Sequence, residues 1–384
     1  MNDSDRSDAL QARPGLSRCA PVRLLLEDGT EVQGRGIGVA KPVSGEVVFN
    51  TAMSGYVETL TDPSYHGQIL VLTYPLIGNY GVPAPRSDGL ARPFESDRIQ
   101  VQALVVLNYV DAHSHHAASR SLHQWLSEES IAGLTGVDTR ALTRRLRERG
   151  TMQGWLYPAG MSAEEARARA ARVDMQDEVF RAVAPRAPVR YGTGKPTVLL
   201  VDVGAKDNIV RSLLAREASV IRAPWHADLA ALAGEADGIL IGNGPGDPKD
   251  LAPLIHQVRA LLGHYRKPIF GVCLGNQILA LAAGGDTYKL PYGHRGVNQP
   301  VQDLLSRRCY VTSQNHGYAV RDESLPKDWE PWFVNTNDGT NEGIRSTHYP
   351  YFSVQFHPEG SPGPQDSGFL FDDFMRLVRS TAGR

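Results

Sequence analysis

The sequence predicts an α/β protein with two domains: a doubly wound, mostly parallel sheet in the C-terminal half, preceded by a separate β-rich α/β domain. Three observations support this fold class. The chain has 384 residues, which is enough for two hydrophobic cores. After Thr197, apolar strands alternate with amphipathic helices, as in doubly wound sheets. From Val22 to Val110, by contrast, short apolar strands are separated by turns.

Composition places the domain boundary in the segment 184–196, which contains three prolines, two glycines and few apolar residues. We therefore predict an N-terminal domain over residues 21–183, a linker over 184–196 and a C-terminal domain over 197–384. Residues 1–20 are polar and include several aspartates. They are predicted to be a disordered lead-in rather than a secretion signal or a transit peptide.

Charge and hydropathy argue against two classes of partner. The 40 Lys and Arg residues nearly balance the 42 Asp and Glu residues, and the formal net charge is −2. This balance provides no electrostatic basis for binding nucleic acid or an anionic membrane. No apolar run approaches the roughly 20 residues that span a bilayer.

Three cysteines, Cys19, Cys273 and Cys309, are too few and too scattered for a disulfide framework or a paired metal-binding motif. Their scarcity predicts a reducing compartment, and with the polar N-terminus it predicts the cytoplasm. Three neighbouring histidines have a spacing that suits neither a helix face nor a zinc finger, so a solvent-exposed loop is favoured over a metal site. They are His113, His115 and His116.

Local patterns predict the main elements. In the N-terminal domain a helix is predicted from a cap at Asp138 or Thr139 to Gly150. The segment Asn50–Tyr65 is polar, aromatic and rich in turn residues, so a functional loop is predicted there. In the C-terminal domain, strands are predicted at 197–203, 218–221, 238–241 and 268–272, helices at 208–214, 250–264 and 276–283, shorter strands over 310–357, and a final helix with an apolar face from residue 370 to 378.

Cys273 lies where a predicted strand passes into a predicted helix. Gly271 and Gly275 flank it at i−2 and i+2, which is the small-residue spacing of a nucleophile elbow. A thiol at a helix N-terminus is also favoured as the thiolate, because of the partial positive charge there. The alternative for a cysteine considered alone is a buried core position.

A glycine-rich loop, Gly242–Pro248, follows another predicted strand. It lacks the spacing of a dinucleotide-binding fingerprint and the acidic residue that such a motif needs. Its backbone N–H groups are instead candidates for an oxyanion hole.

His357 directly follows an alternating strand, and Glu359 stands two residues further, beyond a stiffening proline. This arrangement suits a general base that is oriented by a carboxylate. An exposed histidine at a strand end is the alternative for His357 alone. Chance does not readily explain the presence of all three features in one chain: a cysteine at an elbow, a glycine-rich loop with backbone N–H donors, and this His-Pro-Glu turn.

These three motifs resemble the triad-type, class I glutamine amidotransferases, which hydrolyse the side-chain amide of glutamine and pass ammonia to a partner synthetase. The motifs are Gly271-Val-Cys-Leu-Gly-Asn-Gln277, Asn243-Gly-Pro-Gly-Asp-Pro248 and Phe356-His-Pro-Glu359. Three stretches of the N-terminal half narrow the resemblance to the small, glutamine-hydrolysing subunit of carbamoyl phosphate synthetase. They are Phe49–Tyr65, Leu72–Gly81 and Gly136–Arg144, and the resemblance extends from about Val22 to the C-terminus.

The resemblance implies roles for particular residues. Cys273 would attack the glutamine carboxamide, His357 would transfer protons and Glu359 would orient His357, with a glutamyl thioester as the intermediate. Backbone N–H groups near Gly244 and Leu274 would hold the oxyanion. The implied glutamine-binding residues are Ser64, Gly244, Gly246, Leu274, Gln277, Asn315, Gly317 and Tyr318. Asn276 replaces a histidine and Tyr318 a phenylalanine that are common in relatives, and neither belongs to the triad.

The resemblance also implies the partner: a large subunit that makes carbamoyl phosphate from bicarbonate and ATP, for arginine and pyrimidine synthesis. The chain has no phosphate-binding loop and no metal-binding motif in its sequence. We therefore expect no cofactor or metal in this chain, ATP and magnesium on the large subunit, and a heterodimer or a larger assembly of such pairs.

Three alternatives remain at this stage. They are a glutaminase subunit of another synthetase, a thiol peptidase, and a non-catalytic assembly or regulatory protein. Relatives that serve anthranilate or guanylate synthesis do not share the N-terminal domain. The Asn243 and Gln277 motifs favour a small amide over a peptide. Cys273 is present, whereas some relatives have lost this cysteine and depend on free ammonia.

Overall fold

The structure is a computed structural model that describes residues 20–84, 90 and 93–382. The predicted lead-in lies outside the described residues except for Ala20, and so does Cys19. Contacts divide the chain into two compact units. Unit 1 comprises residues 1–49, 68–85 and 101–172, and unit 2 comprises residues 50–67, 86–100 and 173–384.

This division is not the linear one that composition suggested. The segments 50–67 and 86–100 precede the predicted linker, yet they belong to unit 2. The predicted loop at Asn50–Tyr65 is also wrong in part, because helix α1 (Tyr56–Thr61) and a 3-10 turn at Pro63–Tyr65 occupy it. Asn50 and Asp62 satisfy backbone N–H groups here with their side chains, which allows polar residues to be buried.

Unit 1 is built around a closed barrel of β-strands. Strands β1 (Pro21–Leu26) and β2 (Glu31–Gly38) form a hairpin, in which Gly29 has φ +88° and the Asp28 carboxylate accepts from the backbone N–H of Thr30 over 2.9 Å. The remaining barrel strands are β3 (Val43–Asn50), β4 (Gln68–Leu72), β7 (Ala103–Val106), β10 (Ala132–Thr135) and β11 (Met152–Pro158), in the order β1-β11-β3-β4-β7-β10-β2. The short strands β5 (Leu76–Ile77), β6 (Val82–Pro83), β8 (Asn108–Tyr109) and β9 (Ala118–Arg120) pair outside it.

Among the described residues of unit 1, the helices are α2 (Leu122–Glu128), α3 (Thr139–Arg149) and α4 (Ala163–Arg169). The predicted bounds of α3 are confirmed. The Asp138 carboxylate accepts from Ala141 N over 2.9 Å at its start, and Gly150 with φ +91° ends it.

Unit 2 contains a sheet whose centre is parallel. Strands β14 (Ser219–Pro224), β13 (Thr197–Asp202), β15 (Gly238–Ile241), β16 (Ile269–Val272) and β21 (Tyr351–Val354) lie in this order and pair in parallel. The helices of this unit are α5 (Glu178–Val183), α6 (Asp207–Leu214), α7 (Leu229–Ala233), α8 (Ala252–His264), α9 (Leu274–Ala283) and α10 (Phe369–Ala382).

Two separate hydrophobic cores cover the two faces of this sheet. Leu199 and Val201 of β13 pack in the core that contains α8 and α9. Val198 and Leu200 of the same strand pack in the core that contains α6 and α10. Alternate residues therefore point to opposite buried faces, which is why the strand is continuously apolar. The predicted α/β fold class, with its doubly wound sheet, is confirmed.

Antiparallel strands extend the sheet at both edges. β12 (Val189–Tyr191) pairs with β14, and β20 (Asn341–Ser346), β19 (Trp329–Asn335), β17 (Thr287–Asp303) and β18 (Cys309–Val320) continue from β21. The sequence analysis did not predict β17, whose residues include prolines and glycines that interrupt any alternating pattern. Its pairing with β18 shifts register after Lys289 and after Gly296.

None of the helices in the described ranges combines the length and the apolar character that crossing a membrane requires.

Phe374 tests the packing of α10 on the sheet. Its buried ring lies 5.6 Å from that of Phe270 and 6.3 Å from that of Phe352. Phe374→Ala is expected to lower the free energy of unfolding by about 3–5 kcal/mol, because a large cavity is left between helix and sheet. Urea denaturation followed by tryptophan fluorescence measures the change. On the same helix the exposed Arg376→Ala should change it by less than about 0.5 kcal/mol, and equal effects would contradict the packing described here.

Candidate active site

Cys273 lies between β16 and α9 in a strained backbone conformation, with φ +55° and ψ −105°. An added Cβ at Gly271 would lie 2.6 Å from Gly275 O, and one at Gly275 would lie 2.1 Å from Ile241 O. Side chains at either position would therefore push the helix off the strands. The strand-to-helix turn has the geometry of a nucleophile elbow, as the glycine spacing predicted.

The imidazole of His357 is held by Glu359. The distance from His357 Nδ1 to Glu359 Oε1 is 2.6 Å, and both side chains are fully buried. His357 N donates to Ser313 O over 2.8 Å, and Gly360, with φ +55°, allows the chain to turn immediately after Glu359. No described residue makes a hydrogen bond to His357 Nε2, so this nitrogen is available for proton transfer.

The charges of this pair are mutually stabilised. Burial disfavours the imidazolium, but the Glu359 carboxylate and the Cys273 sulfur outweigh burial and raise the pKa of His357 to about 10. Burial also disfavours the Glu359 carboxylate, but Lys206 and His357 outweigh it and lower the pKa of Glu359 to about 2. At neutral pH the pair is therefore an imidazolium and a carboxylate.

Lys206 is a buried cation beside this pair, and the sequence analysis did not single it out. Its Nζ lies 3.2 Å from Glu359 Oε1, and its side chain is 2% exposed. Burial acts against the ammonium, but Glu359 and Glu95 together raise the pKa of Lys206. Its position after β13, at the N-terminal end of α6, was the available sequence signal, because site residues of parallel sheets follow strand ends.

The predicted oxyanion donors lie next to each other. A Cβ at Gly244 would lie 2.3 Å from Val203 O and 2.9 Å from Leu274 Cδ2, so the glycine loop packs directly against the start of α9. Leu274 is the first residue of that helix, where backbone N–H groups lack intrahelical acceptors. The glycine loop therefore contacts the start of α9, which directly follows Cys273, and the oxyanion-hole role of the backbone N–H groups there stays a prediction.

Ser64 is also part of this group, although it is far away in sequence. Its Oγ accepts from Asn243 Nδ2 over 2.9 Å, and its backbone N–H donates to Asp62 Oδ1 over 2.9 Å. Asp62 Oδ2 in turn accepts from Asn315 Nδ2 over 2.9 Å, and Asn315 O accepts from the Cys273 thiol over 3.7 Å. Within unit 2, a hydrogen-bonded chain of side chains thus links the glycine loop to the strand that faces Cys273. Asp62 is a second residue that the sequence analysis missed.

The remaining predicted glutamine-binding residues are not part of this hydrogen-bonded series. Gln277 Nε2 donates to Tyr318 O over 2.9 Å and to Gln355 Oε1 over 3.1 Å, so its amide nitrogen is already engaged. Gly317 and Tyr318 are half-buried on β18. Gly246, with φ +81°, packs against Phe180, whose ring a Cβ would approach to 2.8 Å. These contacts assign Gln277 and Gly246 a structural role in addition to the predicted one.

Asn276, which differs from the common histidine, is fully buried and hydrogen-bonded to β21. Its Oδ1 accepts from Ser353 Oγ over 2.8 Å, and its Nδ2 donates to Gln355 Oε1 over 3.2 Å. Both polar atoms of the Asn276 amide are therefore paired, whereas Gln355 Nε2 has no hydrogen-bond partner among the described residues.

A buried cluster of His294, His316 and Glu342 has potential metal ligands within 4.8 Å of one another. Hydrogen bonds engage both histidines and Glu342 Oε1, whereas Glu342 Oε2 has no partner among the described residues. His294 Nε2 lies 2.8 Å from Asp338 Oδ2, and Asn335 Nδ2 donates to Glu342 Oε1 over 3.2 Å. The other histidine group, at 113–116, lies in a loop in which His115 and His116 are exposed and His113 is half-buried.

Comparison with known families agrees with this geometry. Residues 199–377 match the model "Glutamine amidotransferase class-I", so fold and site define a domain of that class. Residues 24–156 match "Carbamoyl-phosphate synthase small chain, CPSase domain". The chain thus combines the small-chain domain of carbamoyl-phosphate synthase with a class I glutamine amidotransferase domain.

Similar proteins carry related names. The multifunctional protein pyrABCN of Emericella nidulans is 43% identical over 93% of this chain and 17% of that protein. The mitochondrial carbamoyl-phosphate synthase (ammonia) of Mus musculus is 44% identical over 97% of this chain and 25% of that protein. The chain thus spans a quarter or less of the length of these relatives. A solved glutamine amido transferase from Methylobacillus flagellatus aligns with a TM-score of 0.35 and 17% identity, over 44% of this chain and 71% of that one.

Glu359→Gln tests the electrostatic role of the carboxylate. The pKa of the His357 imidazolium is expected to fall from about 10 by roughly one unit or more, because the neutral amide no longer stabilises the cation while Lys206 still repels it. NMR titration of the histidine side chains measures this pKa. Glu330→Gln, which removes a carboxylate bonded to Arg345, is the matched control and should leave the His357 titration unchanged. An unaltered pKa in Glu359→Gln would show that Glu359 does not control the charge of His357.

Proposed function

We propose that this chain is the glutaminase subunit of a carbamoyl phosphate synthetase: it hydrolyses L-glutamine to L-glutamate and ammonia, and delivers the ammonia to a large subunit. The observation that carries the proposal is the strained Cys273 elbow next to the His357–Glu359 pair within one unit. The family match supports the same activity.

The chemistry follows from the charges of the site. The Cys273 thiolate attacks the γ-carboxamide carbon, and the resulting oxyanion accepts from backbone N–H groups near Gly244 and Leu274. His357 donates its proton to the amide nitrogen, the C–N bond breaks and ammonia leaves a glutamyl thioester on Cys273. Neutral His357 then takes a proton from water, whose oxygen attacks the thioester carbon. Glutamate departs, and the thiolate and the imidazolium are restored.

Glutamine recognition is proposed for Ser64, Gly244, Gly246, Leu274, Gln277, Asn315, Gly317 and Tyr318. Support for this set comes from the contacts among its members. Ser64, Asn315 and the glycine loop are joined through Asn243 and Asp62, close to the thiol of Cys273. A small polar substrate bound there would place its amide near the sulfur.

The partner is proposed to be the large subunit, in a heterodimer or a larger assembly in the cytoplasm. ATP, magnesium and bicarbonate would bind that subunit, where ammonia is converted to carbamoyl phosphate for arginine and pyrimidine synthesis. The support is the match of residues 24–156 to the small-chain domain of carbamoyl-phosphate synthase. ATP binding to the isolated chain at micromolar affinity would contradict this division of labour.

Cys273→Ser tests both the mechanism and the partner. With a large subunit, bicarbonate, ATP and magnesium, carbamoyl phosphate formation from glutamine is expected to fall at least about 1,000-fold, because the nucleophile is lost. Formation from ammonium should persist. Cys309→Ser is the control, since Cys309 is exposed and lies outside the proposed site. Loss of both reactions in Cys273→Ser would contradict the proposed role, and glutamine hydrolysis without carbamoyl phosphate in the wild type would contradict the proposed partner.

The pH dependence of glutamine hydrolysis has a predicted sign. Since the pKa of His357 is raised to about 10, the imidazolium that protonates the leaving ammonia is present below that pH and lost above it. The value of kcat/KM is therefore expected to fall as the pH rises through about 10, because it reports ionisations of the free enzyme. Steady-state assays from pH 6 to pH 10.5 measure the profile. A fall centred near the ordinary histidine pKa of about 6.5 would contradict the charge state described above.

A further inference from the structure

Glu95 is a fully buried carboxylate that belongs to no recognised motif. It lies in the segment 86–100, which packs in unit 2 although both flanking stretches of chain belong to unit 1. Its backbone is fixed on both sides: Glu95 N donates to Thr61 Oγ1 over 2.9 Å, and Glu95 O accepts from Asp207 N over 2.9 Å. The proposed chemistry does not use this residue.

The Glu95 side chain connects the start of α6 with the loop that carries Glu359. Its Oε1 accepts from Ser361 Oγ over 2.6 Å and from Arg211 Nη2 over 2.5 Å, and its Oε2 accepts from Asn208 N over 3.0 Å. Asn208 Nδ2 then donates to Glu359 O over 2.7 Å. Two hydrogen-bonded routes, one through Ser361 and one through Asn208, thus lead from Glu95 to the turn that presents Glu359 to His357.

Glu95 also completes a buried pattern of alternating charges. Lys206 is paired with Glu359, and the charges of Glu359 and Glu95 both favour its ammonium form. Burial raises the pKa of Glu95 to about 7, against the opposing effects of Lys206 and Arg211. The charged groups that act on this network are Glu58, Asp62, Glu95, Lys206, Asp207, Arg211 and Glu359.

We propose that Glu95 is a positioning residue for glutamine hydrolysis, which holds the Glu359 turn in place and balances the charge of Lys206. This inference rests on the proposed function. Without the Glu95 charge, Lys206 would have one less counter-charge, and the surroundings of His357 would become more positive. Without its hydrogen bonds, the turn at Glu359–Ser361 would lose its connection to α6. Loss of the Glu95 charge would lower the pKa of His357. Loss of its hydrogen bonds would displace the turn that positions Glu359.

Glu95→Gln separates these effects from a general loss of stability, because the amide nearly preserves shape and keeps an acceptor for Ser361. In the full-length chain, kcat for glutamine hydrolysis is expected to fall about tenfold, since small displacements of catalytic groups are costly. KM should stay within about twofold, because the residues near Ser64 and Asn315 keep their contacts. The pKa of His357, measured by NMR titration, should fall by roughly half a unit or more, as Coulomb's law predicts for a removed nearby charge.

Ser361→Ala is the companion variant. It deletes one hydrogen bond to Glu95 and leaves all charges in place, so it should lower kcat without moving the His357 pKa. Glu330→Gln is the control for removal of an ion-paired carboxylate elsewhere in unit 2. An unchanged His357 pKa in Glu95→Gln, or a raised KM at unchanged kcat, would overturn the proposal.

Two further outcomes are informative. If Glu95→Gln does not fold, Glu95→Asp keeps the charge but shortens the side chain, and wild-type kcat in that variant would overturn the positioning role. If the wild-type chain hydrolyses no glutamine, the proposed function fails. The His357 titration of the Glu95 variants still decides whether Glu95 controls that imidazole, because this readout does not require turnover.

Discussion

The close contact between β16 and the first turn of α9 is the constraint on which the candidate site depends. Gly275 lies so near Ile241 O, and Gly271 so near Gly275 O, that neither position has room for a Cβ. Cys273 has a positive φ, which costs a non-glycine residue about 1–3 kcal/mol. The close contact holds the backbone in this conformation despite that cost. The backbone N–H of Cys273 is also bonded to Val354 O at the end of the neighbouring strand. The sulfur is therefore held at the edge of the sheet where His357 follows β21.

Buried charge is the second feature that organises this unit. His357, Glu359, Lys206 and Glu95 are each at most 5% exposed, and an isolated charge in such a position is strongly unfavourable. They are tolerated because groups of opposite charge are paired and because hydrogen bonds engage Glu359 Oε1 and both carboxylate oxygens of Glu95. The network draws on segments that are far apart in the chain. Its cost to stability is an expected property of a site that holds an imidazolium away from water.

The parts of the fold that were predicted correctly have strong local signals. Helix α3 has an acidic cap and a terminal glycine, and the strands of the parallel sheet are continuously apolar because both faces are buried. The parts that were missed lack such signals. The segment Asn50–Tyr65 looks like a loop because its polar residues are satisfied by tertiary hydrogen bonds, and β17 contains prolines and glycines accommodated by register shifts. The proposed site residues follow the same rule. Cys273, His357 and Glu359 stand in motifs whose spacing indicates their chemistry. Lys206 and Glu95 stand in no motif, and Asp62, although it lies within Phe49–Tyr65, is identified only by its tertiary hydrogen bonds.

The sequence alone determined the class of fold and the family, and it predicted the three residues proposed for catalysis, because these depend on local spacing: glycines two residues from a cysteine, or a glutamate two residues from a histidine. Tertiary structure alone decided which charges surround those residues and which segments complete the site. The segments 50–67 and 86–100 pack with the C-terminal half of the chain although they interrupt the barrel of unit 1. Pairing between residues more than 100 positions apart leaves no periodic pattern in the sequence, since it depends on the packing of whole elements. Lys206 and Glu95 become interpretable only once the distances to Glu359 and Ser361 are known.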